Sequence, residues 1–214
     1  MEKNSIFAKN ISMIEKAESI ENKYRVDYVD SGLPRWLIDT AFVCCLLQAV
    51  ADYGLVMDYV DCNGLSWVRA IVQTFGAVVM YFGLLRGMKQ LYRPLTVWWW
   101  IVLALNIAGF ITEMIPSIAF TVGLPVAVSL MLVYLPLGCI IAFSYRGRLR
   151  QVGVWMALFI LISEIVPVVV FLLPIPIDGL NDLLLEIPTV AVIVIYAWVL
   201  RRVLIQSHDD TAKA

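Results

Sequence analysis

The chain is nearly without histidine: among its 214 residues there is one, His208, close to the C-terminal end. Imidazole is the usual general base near neutral pH and the commonest metal ligand. Histidine-based catalysis and histidine-ligated metals are therefore excluded from the apolar body of the protein. Cysteine is scarce as well. Cys44, Cys45, Cys62 and Cys139 form no CxxC pair and no metal-binding spacing. No GxSxG, HExxH, Walker or GxGxxG pattern occurs. No catalytic residue, metal or cofactor is expected, and the sequence argues against an enzyme more than for one. Charge is also sparse, at 15% of residues with a net of −1, where soluble domains run to about a quarter charged. Residues 1–35 hold no long apolar run, so no secretory signal is expected and the first span is read as retained.

What the sequence has is apolar length. Hydrophobic residues make up 61% of it, and the mean hydropathy is +0.84. Crossing the hydrocarbon core takes about 20 apolar residues in a helix. Barrel strands would alternate over segments of about 10 residues instead, and no such alternation is present. The expected fold is all-α: a polytopic membrane protein with six transmembrane helices in three hairpins. The spans fall near 37–57, 66–86, 95–116, 125–145, 152–173 and 184–204. They occupy a domain of residues 35–206, followed by a tail at 207–214. Pro94 suits the start of the third helix, and the Pro- and Gly-rich stretch 174–183 is read as a loop.

Residues 1–34 are read as a cytoplasmic amphipathic helix that Ser31-Gly32-Leu33-Pro34 brings to an end. Ile6, Phe7, Ile11, Ile14, Ala17, Ile20 and Tyr24 recur at helical spacing. The opposite face mixes Lys9, Lys16 and Lys23 with Glu15, Glu18 and Glu21. A lipid-surface helix usually has a face rich in Lys and Arg alone, so the protein's own loops or a partner suit this one equally. Orientation follows from the basic residues. Every one of the 16 Lys and Arg except Arg69 falls on the side shared by the two ends and the loops after spans 2 and 4. Both ends are therefore expected to be cytoplasmic, in the inner membrane of a bacterium. Topology accounts for the basic residues, so no nucleic-acid partner is expected. The expected partners are the lipid bilayer and either a second copy or another membrane protein.

Two segments repeat. Ile111-Thr112-Glu113-Met114-Ile115-Pro116-Ser117-Ile118-Ala119-Phe120 and Ile162-Ser163-Glu164-Ile165-Val166-Pro167-Val168-Val169-Val170-Phe171 share one pattern at an offset of 51 positions. Pro136 then aligns with Pro188, so 95–145 and 152–204 read as two copies of one hairpin. Parallel repeats occur in transporters, with sites at the repeat interface. Pro116 and Pro167 are expected to kink their spans and free the carbonyls of Thr112 and Ser163. Each span would then offer a carboxylate, a hydroxyl and a free carbonyl within one turn. Those oxygen ligands suit a proton or hard cation, so Glu113, Glu164, Thr112 and Ser163 are the cation- or proton-site residues. The bland alternative is a pair of helix ends with acids near the headgroups. Asp52 and Arg69 are read as an ion pair, and Asp39 as solvated. Gln73 and Asn106 are read as stitches between helices, and Trp98, Trp99 and Trp100 as an interfacial belt. Ala104 with Ala108, and Gly138 with Ala142, offer small-residue packing faces. The leading functional reading is a small transporter or permease subunit moving a small solute or ion with carboxylate-based coupling. The others are a non-catalytic scaffold or regulatory subunit and, third, an intramembrane carboxylate enzyme.

Overall fold

A computed structural model describes residues 24–51, 66–91, 93–162 and 179–205. Among the described residues the regular elements are helices, apart from one isolated bridge between Arg25 and Arg146. We number them α1 (Arg35–Ala51), α2 (Ser66–Leu91), α3 (Arg93–Met114), α4 (Pro116–Ser144), α5 (Arg148–Ile160) and α6 (Gly179–Leu204). Four carry a stretch long and apolar enough to cross a membrane: Trp67–Lys89, Leu95–Thr112, Thr121–Ser144 and Ile187–Leu204. Within the described residues α1 has 17 residues and α5 has 13, followed by one π turn at Leu161 and Ile162.

Local chemistry sets the helix ends. The Pro34 carbonyl accepts from the amides of Leu37 (3.0 Å) and Ile38 (3.4 Å), opening α1. Pro94 is the second residue of α3, where the missing N–H costs no helical bond. Three boundaries differ from the sequence expectation. Gly87 to Leu91 continue α2 instead of forming a loop. Gly179 starts α6 inside the expected loop 174–183. The third difference concerns Pro116, which is not a kink within span 3. That helix ends at Met114, Ile115 is extended (φ −118°, ψ 90°), and Pro116 is the first residue of α4. Proline is favoured at that position for the same reason as Pro94. The expected loop 117–124 is therefore helical, and α4 reaches 29 residues with Pro125 and Pro136 in its interior.

Each helix packs on its neighbours in sequence, and α6 returns to α1, so the six form a closed ring in chain order. Adjacent helices run antiparallel. Gly109 faces Val126 and Gly123 faces Thr112, while Gly138 faces Gly153 and Ala157. Arg201 closes the ring. Its Nε donates to Asp39 Oδ1 at 2.7 Å and its guanidinium lies 5.5 Å from the Phe42 ring centre. Asp39 is thus an α1–α6 tie whose carboxylate also stays open to solvent, as the sequence suggested.

One end of the ring gathers Arg86, Lys89, Arg146, Arg148, Arg150, Arg201 and Arg202. Residues 24–30, expected to be helical, instead run with the helix-breaking 31–34 across this basic end as a non-helical strap. Val26 N donates to Arg146 O (3.1 Å), Leu149 N to Val26 O (2.9 Å) and Val29 N to Val203 O (2.9 Å). Gly147, at the start of α5, has φ +75° and no side chain to cap the helix. Asp27 Oδ1 accepts from the Arg148 amide at 3.1 Å and supplies the missing cap. Val29 is fully buried against Gly87, where a Cβ would collide with its methyl group.

Candidate functional site

Below the strap the ring is solid. Leu84, Met88, Trp99, Leu137, Ile141 and Leu149 are among the fully buried side chains there. Packing ends at a layer of aromatic rings. Trp99 stacks on Tyr81 (5.8 Å between centres), Tyr81 meets Tyr134 edge-on (5.7 Å), and Tyr134 lies 6.5 Å from Phe159. Phe159 stacks on Tyr196 at 6.0 Å. These five residues come from α3, α2, α4, α5 and α6. They lie about 9–17 Å from the basic end, at a rise of about 1.5 Å per residue.

Beyond the aromatic layer the helices separate around a central cavity of about 190 Å³. Every helix lines it: Gln48 from α1, Gln73 and Tyr81 from α2, Asn106 from α3, Tyr134 from α4, Phe159 from α5 and Tyr196 from α6. Drug-sized sites measure about 300–1,000 Å³, so this one suits a smaller guest. No Asp, Glu, Lys or Arg lines it among the described residues. Its polar side chains are three amides, three phenols and the Cys45 thiol. Asn106 Nδ2 donates to Val102 O (2.8 Å) and to Tyr134 Oη (2.9 Å), so it does join α3 to α4. Both its donor hydrogens are then used, and Oδ1 remains as an acceptor. The Tyr81 hydroxyl approaches those of Tyr134 and Tyr196. The Tyr196 Oη is closed to solvent, with the Tyr81 hydroxyl as its polar neighbour.

The residues singled out from the sequence fall elsewhere. Thr112 is buried near the end of α3, and its hydroxyl donates to Gly109 O at 2.7 Å. That bond ties Thr112 to its own helix. Glu113 is the next residue of α3, with its side chain outside the described set. Ser163, Glu164, Pro167 and Asp52 lie outside the described residues. Arg69 sits in the first turn of α2, and its Nε is buried with no hydrogen-bond partner among the described residues. The matched prolines sit at different depths. Pro136 is about two turns from the end of α4, whereas Pro188 is more than four turns from the end of α6. At this pair the sequence match is not a match in space.

The tyrosines escaped the sequence reading. Tyr81, Tyr134 and Tyr196 stand on α2, α4 and α6, one on every second helix, each too deep for an interfacial belt. That placement is a signal the sequence carries. Trp99 is likewise not a belt residue: it is fully buried, between the exposed Trp98 and Trp100. Fold and cavity together define an all-helical protein, four of whose described helices are long and apolar enough to cross a membrane. No protein-family model, curated protein or solved structure matches the chain.

Proposed function

We propose that this protein is a small-solute transporter or permease subunit of a bacterial inner membrane. In this reading all six helices cross the bilayer as three hairpins, with both ends and the basic face in the cytoplasm. The carrying observation is the cavity on the ring axis, lined by every helix and backed on the basic side by packed core. A site near the middle of a helical ring, with one side sealed, is the arrangement alternating access requires. In this reading the closed side is the cytoplasmic one, which supports an outward-facing state. Glu113 stands near the end of α3 on the opposite side, and the sequence repeat assigns Glu164 the matching role, where protons or cations would enter from outside. Their role in this reading is to couple solute movement to a proton or sodium gradient.

The test is flux in liposomes holding the purified protein. Proton and sodium movement is followed under imposed gradients, beside a Glu113→Gln/Glu164→Gln double variant. The expected result is flux in the wild type, reduced at least tenfold in a double variant that still melts cooperatively. Equal flux in the two proteins would sink the coupling role of the carboxylates. Absence of flux from the folded wild type under every gradient would remove the transport reading and leave the scaffold reading in its place.

A further inference from the structure

We infer that the seam between α1 and α6 at the basic end is a binding site for an anionic phospholipid, its phosphate held between Arg35 and Arg201. Such a site needs the helices to stand in a bilayer, but it depends neither on transport nor on Glu113 and Glu164.

Three observations carry it. The first is a shared counterion. Arg201 Nε donates to Asp39 Oδ1 at 2.7 Å, and Arg35 Nε lies 3.7 Å from Asp39 Oδ2. Two guanidinium groups from two helices converge on one carboxylate, so one positive charge is left over. At 3.7 Å Arg35 is too far for a hydrogen bond, and its guanidinium makes none among the described residues. A phosphate diester has two free oxygens, one for each arginine, and guanidinium N–H pairs suit phosphate. The second is the lack of a rival acid. The other described acids at this end are Asp27 and Asp30. Asp27 already accepts from Arg25 and from the Arg148 amide, and Asp30 from the Gly32 amide. The third is apolar surface beside the cations. Trp36 follows Arg35 and is 67% exposed, and Val43 and Leu47 continue the same exposed side of α1. On α6 Trp198 is exposed as well, with the Arg202 guanidinium 4.6 Å from its ring centre. A free phosphate would leave that surface bare. A lipid sets its headgroup on the arginines and its chains along the apolar side, with the tryptophans at the level between.

The test is lipid retention. The full-length protein is released from nanodiscs of mixed phosphatidylcholine and phosphatidylglycerol, and the lipids held by the intact protein are counted by native mass spectrometry. Phosphatidylglycerol should be retained about tenfold over phosphatidylcholine. Arg35→Gln leaves the Arg201–Asp39 pair in place and should weaken retention about tenfold, the loss of one charged hydrogen-bonding partner. The Arg35→Gln/Arg201→Gln double variant should abolish the preference, and if it does not fold the single variant decides. Arg150→Gln removes an exposed cation of α5 at the same end and should change nothing. Equal retention of the two lipids would overturn the inference. So would an effect of Arg150→Gln as large as that of Arg35→Gln, which would mean diffuse charge in place of a site. Soluble glycerol phosphate should leave the melting temperature unmoved where phosphatidylglycerol raises it. An equal rise with both would overturn the lipid and assign a free phosphate. Phosphatidylglycerol retention without any flux would keep the site and remove the transport reading. Flux without the lipid preference would do the reverse.

Discussion

The two halves of the ring are built differently from the same helices. Toward the basic end, backbones touch. A Cβ on Gly153 would come within 2.5 Å of Ala142 N and 2.6 Å of Gly138 O, and one on Gly138 within 2.9 Å of Gly153 O. Toward the other end α2 still presses on α1 at Gly76, but the glycines between α3 and α4 have room. The nearest atom to a Cβ on Gly109 is 4.0 Å away, and to one on Gly123 it is 3.9 Å. Burial follows the same division in α3 and α4. Before Tyr134 no described side chain of α4 is buried, and after Leu103 Thr112 is the one buried residue described in α3. Close packing holds the helices together at the basic end, whereas toward the other end α3 and α4 stand apart and α1, α2 and α6 keep buried contacts. On the proposed transport reading, the looser α3–α4 half is where helices would rearrange around a guest.

The sharpest way to break this comparison is to add one methyl group in each half. Gly153→Ala pushes backbone against backbone, and no side chain can yield to relieve it. We expect it to destabilise the protein by about 1–3 kcal/mol, the usual range for overpacking. Gly109→Ala enters open space on a helix, where alanine is favoured over glycine by about 0.8–1.0 kcal/mol. It should raise the melting temperature in detergent. The two substitutions are chemically identical, so opposite signs follow from the division into halves. A loss of stability at both sites would show that the cavity half is packed as tightly as the other.

The next effect is smaller. Asp39 and Arg201 join α1 to α6 within the basic half, with side chains 39% and 29% exposed. Pairs at that exposure contribute about 0.2–1 kcal/mol, and salt weakens them. Asp39→Ala should lower the melting temperature slightly at low ionic strength, and the difference should shrink in 0.5 M salt. A salt-independent loss would point to packing of the α1 start, not to the ion pair.

The tight half was partly legible in sequence. Apolar runs marked the helices, basic clusters marked one end, and Gly138 with Ala142 marked a close contact. Their partners Gly153 and Ala157 repeat the same four-residue spacing on α5 and went unread. The cavity half was barely legible, because a cavity is defined by what several helices leave empty. Gln48, Gln73 and Asn106 look alike as single polar residues in apolar runs, and sequence cannot show that they face one space. Pro116 misled for a local reason: a proline near a span end reads equally as a kink or as the first residue of a new helix. The strap misled for a tertiary reason. Residues 24–30 lie at the end of a helical pattern, yet Val26 and Val29 find backbone partners in Arg146, Leu149 and Val203 that no local pattern shows.

The smallest effect concerns the strap, and its sign follows from Asp27. Burial pushes the carboxyl of Asp27 toward protonation. The hydrogen bond from Arg25, the Arg148 amide and the charges of both arginines outweigh that push. The carboxyl is therefore held below its ordinary value of 3.8. A depressed carboxylate contributes stability that is fully present above the unfolded value and is lost as pH falls through the folded one. The strap should stay seated above about pH 5 and loosen below about pH 4, where protonation removes the cap from α5. Hydrogen exchange at the Val26, Arg146 and Leu149 amides reads this directly, because those amides hold the strap to the α4–α5 turn. Protection at these sites should fall between pH 5 and pH 3, after correction for intrinsic exchange, while amides of the α4 interior stay protected. Asp27→Asn keeps the shape and removes the titration. Its protection should start lower and show no step in that window. A step of equal size in Asp27→Asn would assign the acid response to another group and leave Asp27 as a cap that does not titrate with the strap.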